Sequence, residues 1–341
     1  MTTDPPTLQV RTTTDLLALI PYLLGFHVES SLVQVVRDGA GRLILVARTD
    51  LPAADDDLDR LSTDVPRLSA SIAGRQGVSA VLIGYGPAAQ VERAVHAATE
   101  VLDQAAIPIF EALRVTDGRF WRLGDDHTGP PEGTAFDPAD STVTADAVYA
   151  GLVALPDRAA FAATLDPVTG PARTGMIAAT VAACQFLADL MAAAAPAADH
   201  EPDAALNTPV GQALQRAART YLSLVQDRYR SGQPVDDEHA ATLTVLLELP
   251  TLRDFAARHT TAEPWQISMW RDLVRRAEPQ FGTVPATLLA LAALRAGNGA
   301  LADIAVQRAL HNDPDDPFAR LLADAVAAGI DPATAAALLT D

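Results

Sequence analysis

Every strand-like run in this 341-residue chain ends by Leu123, and that asymmetry restricts the fold more than any single motif. Ser31–Val36 and Arg42–Thr49 are rich in Val, Ile and Leu, and Arg37-Asp-Gly-Ala-Gly41 between them is turn chemistry, which predicts a β-hairpin. Leu51-Pro52 ends the second strand, and Asp55-Asp-Asp57 caps a helix reaching to about Gly74. Three carboxylates at a helix start satisfy free N–H groups and the dipole, so we read them as a cap before a metal site. Val78–Ile83 is a continuous apolar run of the kind buried on both faces. A helix over Pro87–Ala105 and strands at Ile107–Val115 and Arg119–Leu123 follow, the last two joined by Asp117-Gly118. With a short helix over 14–25, capped at Thr14 and stopped at Gly25, the first part reads as an α/β domain with a mixed sheet in the order ββαβαββ.

Beyond a loop from Leu123 to about Ser141 the periodicity becomes helical. Helices are expected at 144–154, 156–165, 172–195, 208–231, 236–249, 251–259, 264–277, 284–296, 300–311 and 316–328, with a stub near 332–340. We therefore place an α/β sandwich domain at 1–140 and an all-α domain at 141–341, with an Ala/Pro-rich joint near 192–204. Within the helical part, Gly297 to Pro314 resembles half of a tetratricopeptide (TPR-like) hairpin. Ala302, Ala305 and Ala309 would let helix axes approach, and Asp313-Pro314 would end it; an Ala-rich hairpin in the domain core is the competing reading.

Composition removes several classes of chemistry. All 25 basic residues are arginine, so a Schiff base, a lysine base and a P-loop lysine are excluded. The net charge of −18 argues against a general nucleic-acid surface and leaves room only for a local arginine patch. Cys184 is the single cysteine, lies in an apolar helical run and makes no intramolecular disulfide. The start, Met-Thr-Thr-Asp-Pro-Pro, lacks the basic and apolar segments of a secretory signal, and the longest apolar run, Met176 to Ala195, carries Asp189. These features place the chain in the cytoplasm.

The candidate sites are modest. Gly84-Tyr-Gly-Pro-Ala-Ala89 fits a dinucleotide fingerprint between strand and helix, with Glu111 where a ribose-binding acid would sit; however, Pro87 removes a donor and tight turns explain the glycines. Arg48 and Asp50 share one face at a strand end, where ligands gather in α/β folds, and also suit a structural ion pair. His27 and Glu29 face alike in extended chain, as a base and its orienting carboxylate with Ser30 or Ser31 nearby, or as a capped turn. The seven histidines show no metal-ligand spacing, and Asp125-Asp-His127 reads as a solvated loop. Trp265, Trp270, Arg271, Arg275 and Arg276 share one helix, either as a docking or DNA-binding face or with tryptophan in the core and arginine in water.

Taken together, several pieces resemble the actinobacterial domain of unknown function 4192 family nearly end to end. They are Pro21-Tyr-Leu-Leu-Gly-Phe-His27 with Ser31-Leu-Val33, Arg48-Thr-Asp-Leu-Pro52, Val115 with Gly118-Arg-Phe-Trp121, Pro130-Pro-Glu-Gly-Thr134, Trp270-Arg-Asp-Leu273, and Gly299-Ala-Leu-Ala302 with Asp313-Pro314. The resemblance implies no activity. It draws attention to Arg48, Asp50, Arg119 and Glu132, which occupy motif positions. It also implies a cysteine pair just before Pro130, where this chain has Asp126-His-Thr-Gly129.

Two readings follow. The first is a cytoplasmic, non-enzymatic interaction or regulatory protein with no cofactor, metal or catalytic residue, joining a protein partner or itself through the helical domain. The alternative is a small-molecule or nucleotide-binding enzyme with Arg48, Asp50, Arg119 and Glu132 converging at the strand ends. That idea requires Arg48 and Arg119 to share a face of the sheet.

Overall fold

The computed structural model describes residues 8–52, 77–124, 129–194, 208–330 and 332–337. The expected helix from Asp55 to Gly74, its acidic cap, Asp125–His127 and most of the joint near 192–204 lie outside them.

The Cα framework divides into two units, the first ending at Thr164 and the second beginning at Leu165, with Asn298–Ala300 and Ala325–Asp331 grouping with the first. The first unit opens with α1 (Thr13–Leu24). Its cap is Thr12, two residues before the expected Thr14: Thr12 Oγ1 accepts from Asp15 N at 3.1 Å, and the Asp15 carboxylate accepts from Thr12 N at 3.1 Å. Two orphan N–H groups are thereby satisfied reciprocally. Gly25 ends the helix at φ 86°, a conformation that costs glycine nothing.

The sheet contains β1 (Ser31–Arg37), β2 (Leu43–Asp50), β3 (Ser79–Tyr85), β4 (Ile109–Thr116), β5 (Arg119–Arg122) and β6 (Thr134–Ala135), with α2 (Ala88–Gln104) between β3 and β4. Its order is β2-β1-β3-β4-β5-β6. Only β3 and β4 run parallel, as a strand–helix–strand crossover requires; every other neighbouring pair is antiparallel. The mixed sheet was expected, whereas β6 is an addition of two residues at the edge.

One face of the sheet packs beneath α2. Leu32, Val36, Ala80 and Leu82 meet Val91, Ala94, Ala98 and Leu102, all almost fully buried. Val33, Val35, Val81, Ile83 and Leu113 are equally buried on the other face. The central strands are therefore apolar on both sides, which is why Val78–Ile83 reads as an unbroken hydrophobic run. A Cβ on Gly84 would lie 2.2 Å from Val91 Cγ1, so glycine is what lets α2 lie this close. After β6 come α3 (Thr142–Tyr149) and α4 (Arg158–Ala163).

The second unit is helical. Its elements are α5 (Gly170–Ala194), α6 (Pro209–Arg230), α7 (Asp237–Leu246), α8 (Pro250–His259), α9 (Pro264–Arg276), α10 (Thr283–Arg295), α11 (Gly299–Asn312), α12 (Pro317–Ala327) and α13 (Pro332–Ala337). α10 is buried on every side from Thr283 to Leu294, beside α9 with its fully buried Trp270. Arg276 does not lie in water as the sequence suggested. It is 9% exposed and donates to Asp237 at 3.0 Å, to Asp272 at 2.6 Å and to Val235 O at 2.9 Å. Tyr229 also donates to Asp272. A buried guanidinium is tolerable only when paired and hydrogen-bonded in this way.

Gly84→Ala should lower stability by about 1–3 kcal/mol through overpacking against Val91. Urea denaturation would show the loss, and the Gly84→Ala, Val91→Ala double variant should cost less than the sum of its parts.

Candidate functional site

The residues singled out from sequence fall into separate places. Arg48 donates to Asp50 and, through Nε, to Ser31 Oγ at 2.8 Å. Ser31 Oγ in turn donates to Glu29 O at 2.6 Å. Ser31 is fully buried and committed at both ends, so it is no free nucleophile for His27, whose side chain is exposed like that of Glu29. Tyr85 stands opposite Ser31 on the neighbouring strand. Its hydroxyl is buried without a hydrogen-bond partner among the described residues, and burial pushes its pKa upward.

Arg119 does another task. Its Nη1 donates to Glu132 O at 3.1 Å and Gly133 O at 2.9 Å, while Trp121 Nε1 donates to Pro131 O at 3.0 Å. The two side chains latch the Pro130–Gly133 turn onto β5, and Gly133 is needed because a Cβ there would lie 2.4 Å from the Trp121 ring. The Glu132 carboxylate is exposed and plays no part in the latch.

Arg48 and Arg119 lie on opposite faces of the sheet. Residues paired across strands share a face, and one row runs Arg48, Val33, Ile83, Leu113, Arg122. Arg119 pairs with Thr116, three residues from Leu113, and so points the other way. With β1, β3 and β4 between β2 and β5, the two are also roughly 19 Å apart at ordinary strand spacing. The structure brings Arg48 to Asp50 and Arg119 to the backbone of Glu132, and does not bring the pairs together.

The glycines of the fingerprint have structural causes: Gly84 makes room for Val91, and Gly86 adopts φ 148° against Leu51. Glu111 pairs with Val81 near the start of β3, away from the Gly84–Gly86 turn at its end, so it is not placed as a ribose-binding acid.

Glu111 instead belongs to a group that the sequence reading missed. An open cleft of about 820 Å³ lies between the start of α1 and the beginnings of β3 and β4. Arg11, Arg37 and Arg122 line it together with Glu111, Thr13 and Phe110. Arg122 Nε donates to Glu111 at 2.6 Å, its Nη2 donates to Thr13 Oγ1 at 3.1 Å, and Thr13 Oγ1 donates to Glu111 at 3.2 Å. The strand register shifts between Ala80 and Val81, leaving Phe110 unpaired on β4, and Arg37 lies over its ring at 3.9 Å. A bulge re-aims side chains in this fashion. The available signal was a glutamate in the otherwise apolar run Ile107–Leu113.

Among the described residues, no three His, Cys, Asp or Glu side chains gather as a metal site. In the second unit, Gly170–Ala192 is long and apolar enough to cross a membrane by length and composition. One side of α5 is committed to protein, with Met176, Thr180 and Ala183 buried and α7 packed against it. Ile177 (45%) and Val181 (66%) are exposed along one flank of the remaining surface and Phe186 (63%) along the other.

A family model described as a domain of unknown function, DUF4192, matches residues 14–333. The chain belongs to that family. No curated protein and no solved structure matches it. The DUF4192 span takes in Arg37, Phe110, Glu111 and Arg122 of the cleft and begins just after Arg11 and Thr13.

In this DUF4192 chain, Ser141 connects the wall of the cleft to α3. Its Oγ donates to Asp15 at 2.6 Å and accepts from Val143 N at 3.3 Å. The Ser141 hydrogen bond, ahead of those from Arg11 and Thr12, holds the Asp15 carboxyl below its ordinary value. A lowered folded-state pKa gives stability that is present above the unfolded carboxyl value, near pH 4, and is lost as pH falls through the lower folded value. Asp15→Asn should therefore be less stable than the parent at pH 7. Chemical denaturation across pH should show the gap closing in acid.

Proposed function

We propose that this chain is a cytoplasmic, non-enzymatic interaction protein that self-associates through the outer face of α5. The observation that carries this reading is the exposure of Ile177, Val181 and Phe186 on one helix whose other side is already packed. Scattered surface apolar residues are ordinary, but here Ile177 and Val181 on one flank and Phe186 on the other border an alanine-lined outer surface. Charge favours a second copy as the occupant. At net charge −18, two copies repel each other across most of their surfaces, yet residues 174–188 contain no charged residue at all. That face has the least like-charge repulsion to overcome. Ala178 and Ala182 lie between the large side chains and leave room for a second helix.

Ala302, Ala305 and Ala309 are fully buried, which suits the tetratricopeptide-like reading of α11 and an Ala-rich hairpin in the domain core alike. The enzymatic alternative has less support, because Arg48 and Asp50 face away from Arg119.

Analytical ultracentrifugation of the wild type at micromolar concentrations should give a dimer. The Val181→Glu, Phe186→Glu variant should sediment as a monomer with unchanged far-UV circular dichroism, since both side chains face solvent in the single chain. A wild type that stays monomeric, a variant that stays dimeric, or a protein that floats with zwitterionic lipid vesicles would each replace this reading.

A further inference from the structure

We infer that the cleft between α1 and the beginnings of β3 and β4 binds a small organic anion, with a carboxylate or phosphate head and an apolar body. This inference is independent of self-association, since it concerns a different unit and different residues.

The charge balance of the cleft is opposite to that of the chain. Three arginines line it against one lining carboxylate, Glu111, whereas the whole protein carries −18. Glu111 is already engaged by Arg122 and Thr13, so it neither neutralises the remaining arginines nor strongly repels an incoming anion. The other nearby carboxylate, Asp15, accepts from the Arg11 and Thr12 backbone and from Ser141. Among the described residues, neither Arg11 nor Arg37 forms an ion pair. The Arg11 guanidinium reaches Gln9 Oε1 at 2.8 Å.

Arg37 is the more informative of the two. It is half-buried, its Nη2 reaches Ser79 Oγ only at a long 3.4 Å, and its Nε is buried with no hydrogen-bond partner among the described residues. A partly desolvated guanidinium with spare donors is costly to leave unmatched, and an oxyanion matches its planar fork. Stacking on Phe110 holds that plane in place. The positive end of the α1 dipole, at Thr12 and Thr13, lines the same cleft and adds to the attraction.

The remaining lining is apolar. Leu16, Val81, Leu123 and Phe110, itself 65% exposed, provide a surface for a hydrocarbon or aromatic body. At about 820 Å³ the cleft falls within the range of small-molecule sites. An oxyanion head on an apolar body is the ligand chemistry that uses both parts.

Isothermal titration calorimetry of the full chain at low salt tests this with phenyl phosphate, benzoate and the uncharged control phenol. At least one of the two anions should bind, and phenol should bind at least tenfold more weakly; which anion binds identifies the head group. Arg37→Gln should weaken the binding anion about tenfold or more, as loss of a charge-assisted hydrogen bond predicts. Arg11→Gln, at an exposed position that leaves folding intact, should weaken it about threefold with an unchanged melting temperature. If Arg37→Gln does not fold, the Arg11→Gln result decides. Absence of binding by both anions, equal binding of phenol, or full affinity in the variants would overturn the inference.

Discussion

The first unit is organised around a strand that is hydrogen-bonded along both edges. β1 pairs antiparallel with β2 on one side and with β3 on the other, and from Ser31 to Val36 every residue is buried. Such a strand has no freedom of register. A slip of one residue would exchange its two faces and drive Gln34 and the valines into the wrong layers. The row that contains Arg48, and the position of Arg37 at the strand's far end, are consequences of that pairing. Function-bearing side chains are thus distributed by sheet register more than by sequence proximity.

The same constraint explains why the polar residues divide into three places. The Ser31 row gathers Asp50 and Tyr85 at one end of the sheet. The Arg119 latch sits toward the β5–β6 edge. The cleft occupies the other end of the central strands, where Arg37 leaves β1 and the Phe110 bulge leaves β4. The cleft combines open volume with two arginines, Arg11 and Arg37, that lack a carboxylate partner among the described residues. In the other two, hydrogen bonds from within the protein engage Arg48, Ser31 and Arg119 and hold strands and a turn, while the buried Tyr85 hydroxyl has no partner among the described residues.

Local features were legible in the sequence, and non-local ones were not. The expected helices at 264–277 and 300–311 match Pro264–Arg276 and Gly299–Asn312 closely, because a proline at the first helical position marks the start of one, and Gly297 and Asp313-Pro314 bracket the other. The helix expected over 144–154 stops at Tyr149, since the chain turns through Gly151 at φ 82°. A strand as short as Thr134–Ala135 has no periodicity to detect. Arg276 looked solvated because only Asp272 lies one turn away in sequence, while Asp237 reaches it from 39 residues distant. The cleft was missed for the same reason: Arg11, Arg37, Glu111 and Arg122 meet only once the strands are paired. The change from strand to helix periodicity near residue 140 is a local signal, whereas the packing division at Thr164 depends on which helices join the sheet.

The central claim is that Arg48 and Arg119 serve opposite faces of one sheet, toward its two different edges, and share no site. A double-mutant cycle on stability, with Arg48→Ala and Arg119→Ala singly and together, measures this directly. Residues so placed should show additive effects, with a coupling energy below about 0.5 kcal/mol. A coupling of about 1 kcal/mol or more would mean that the two arginines act on a common group, and would contradict the account.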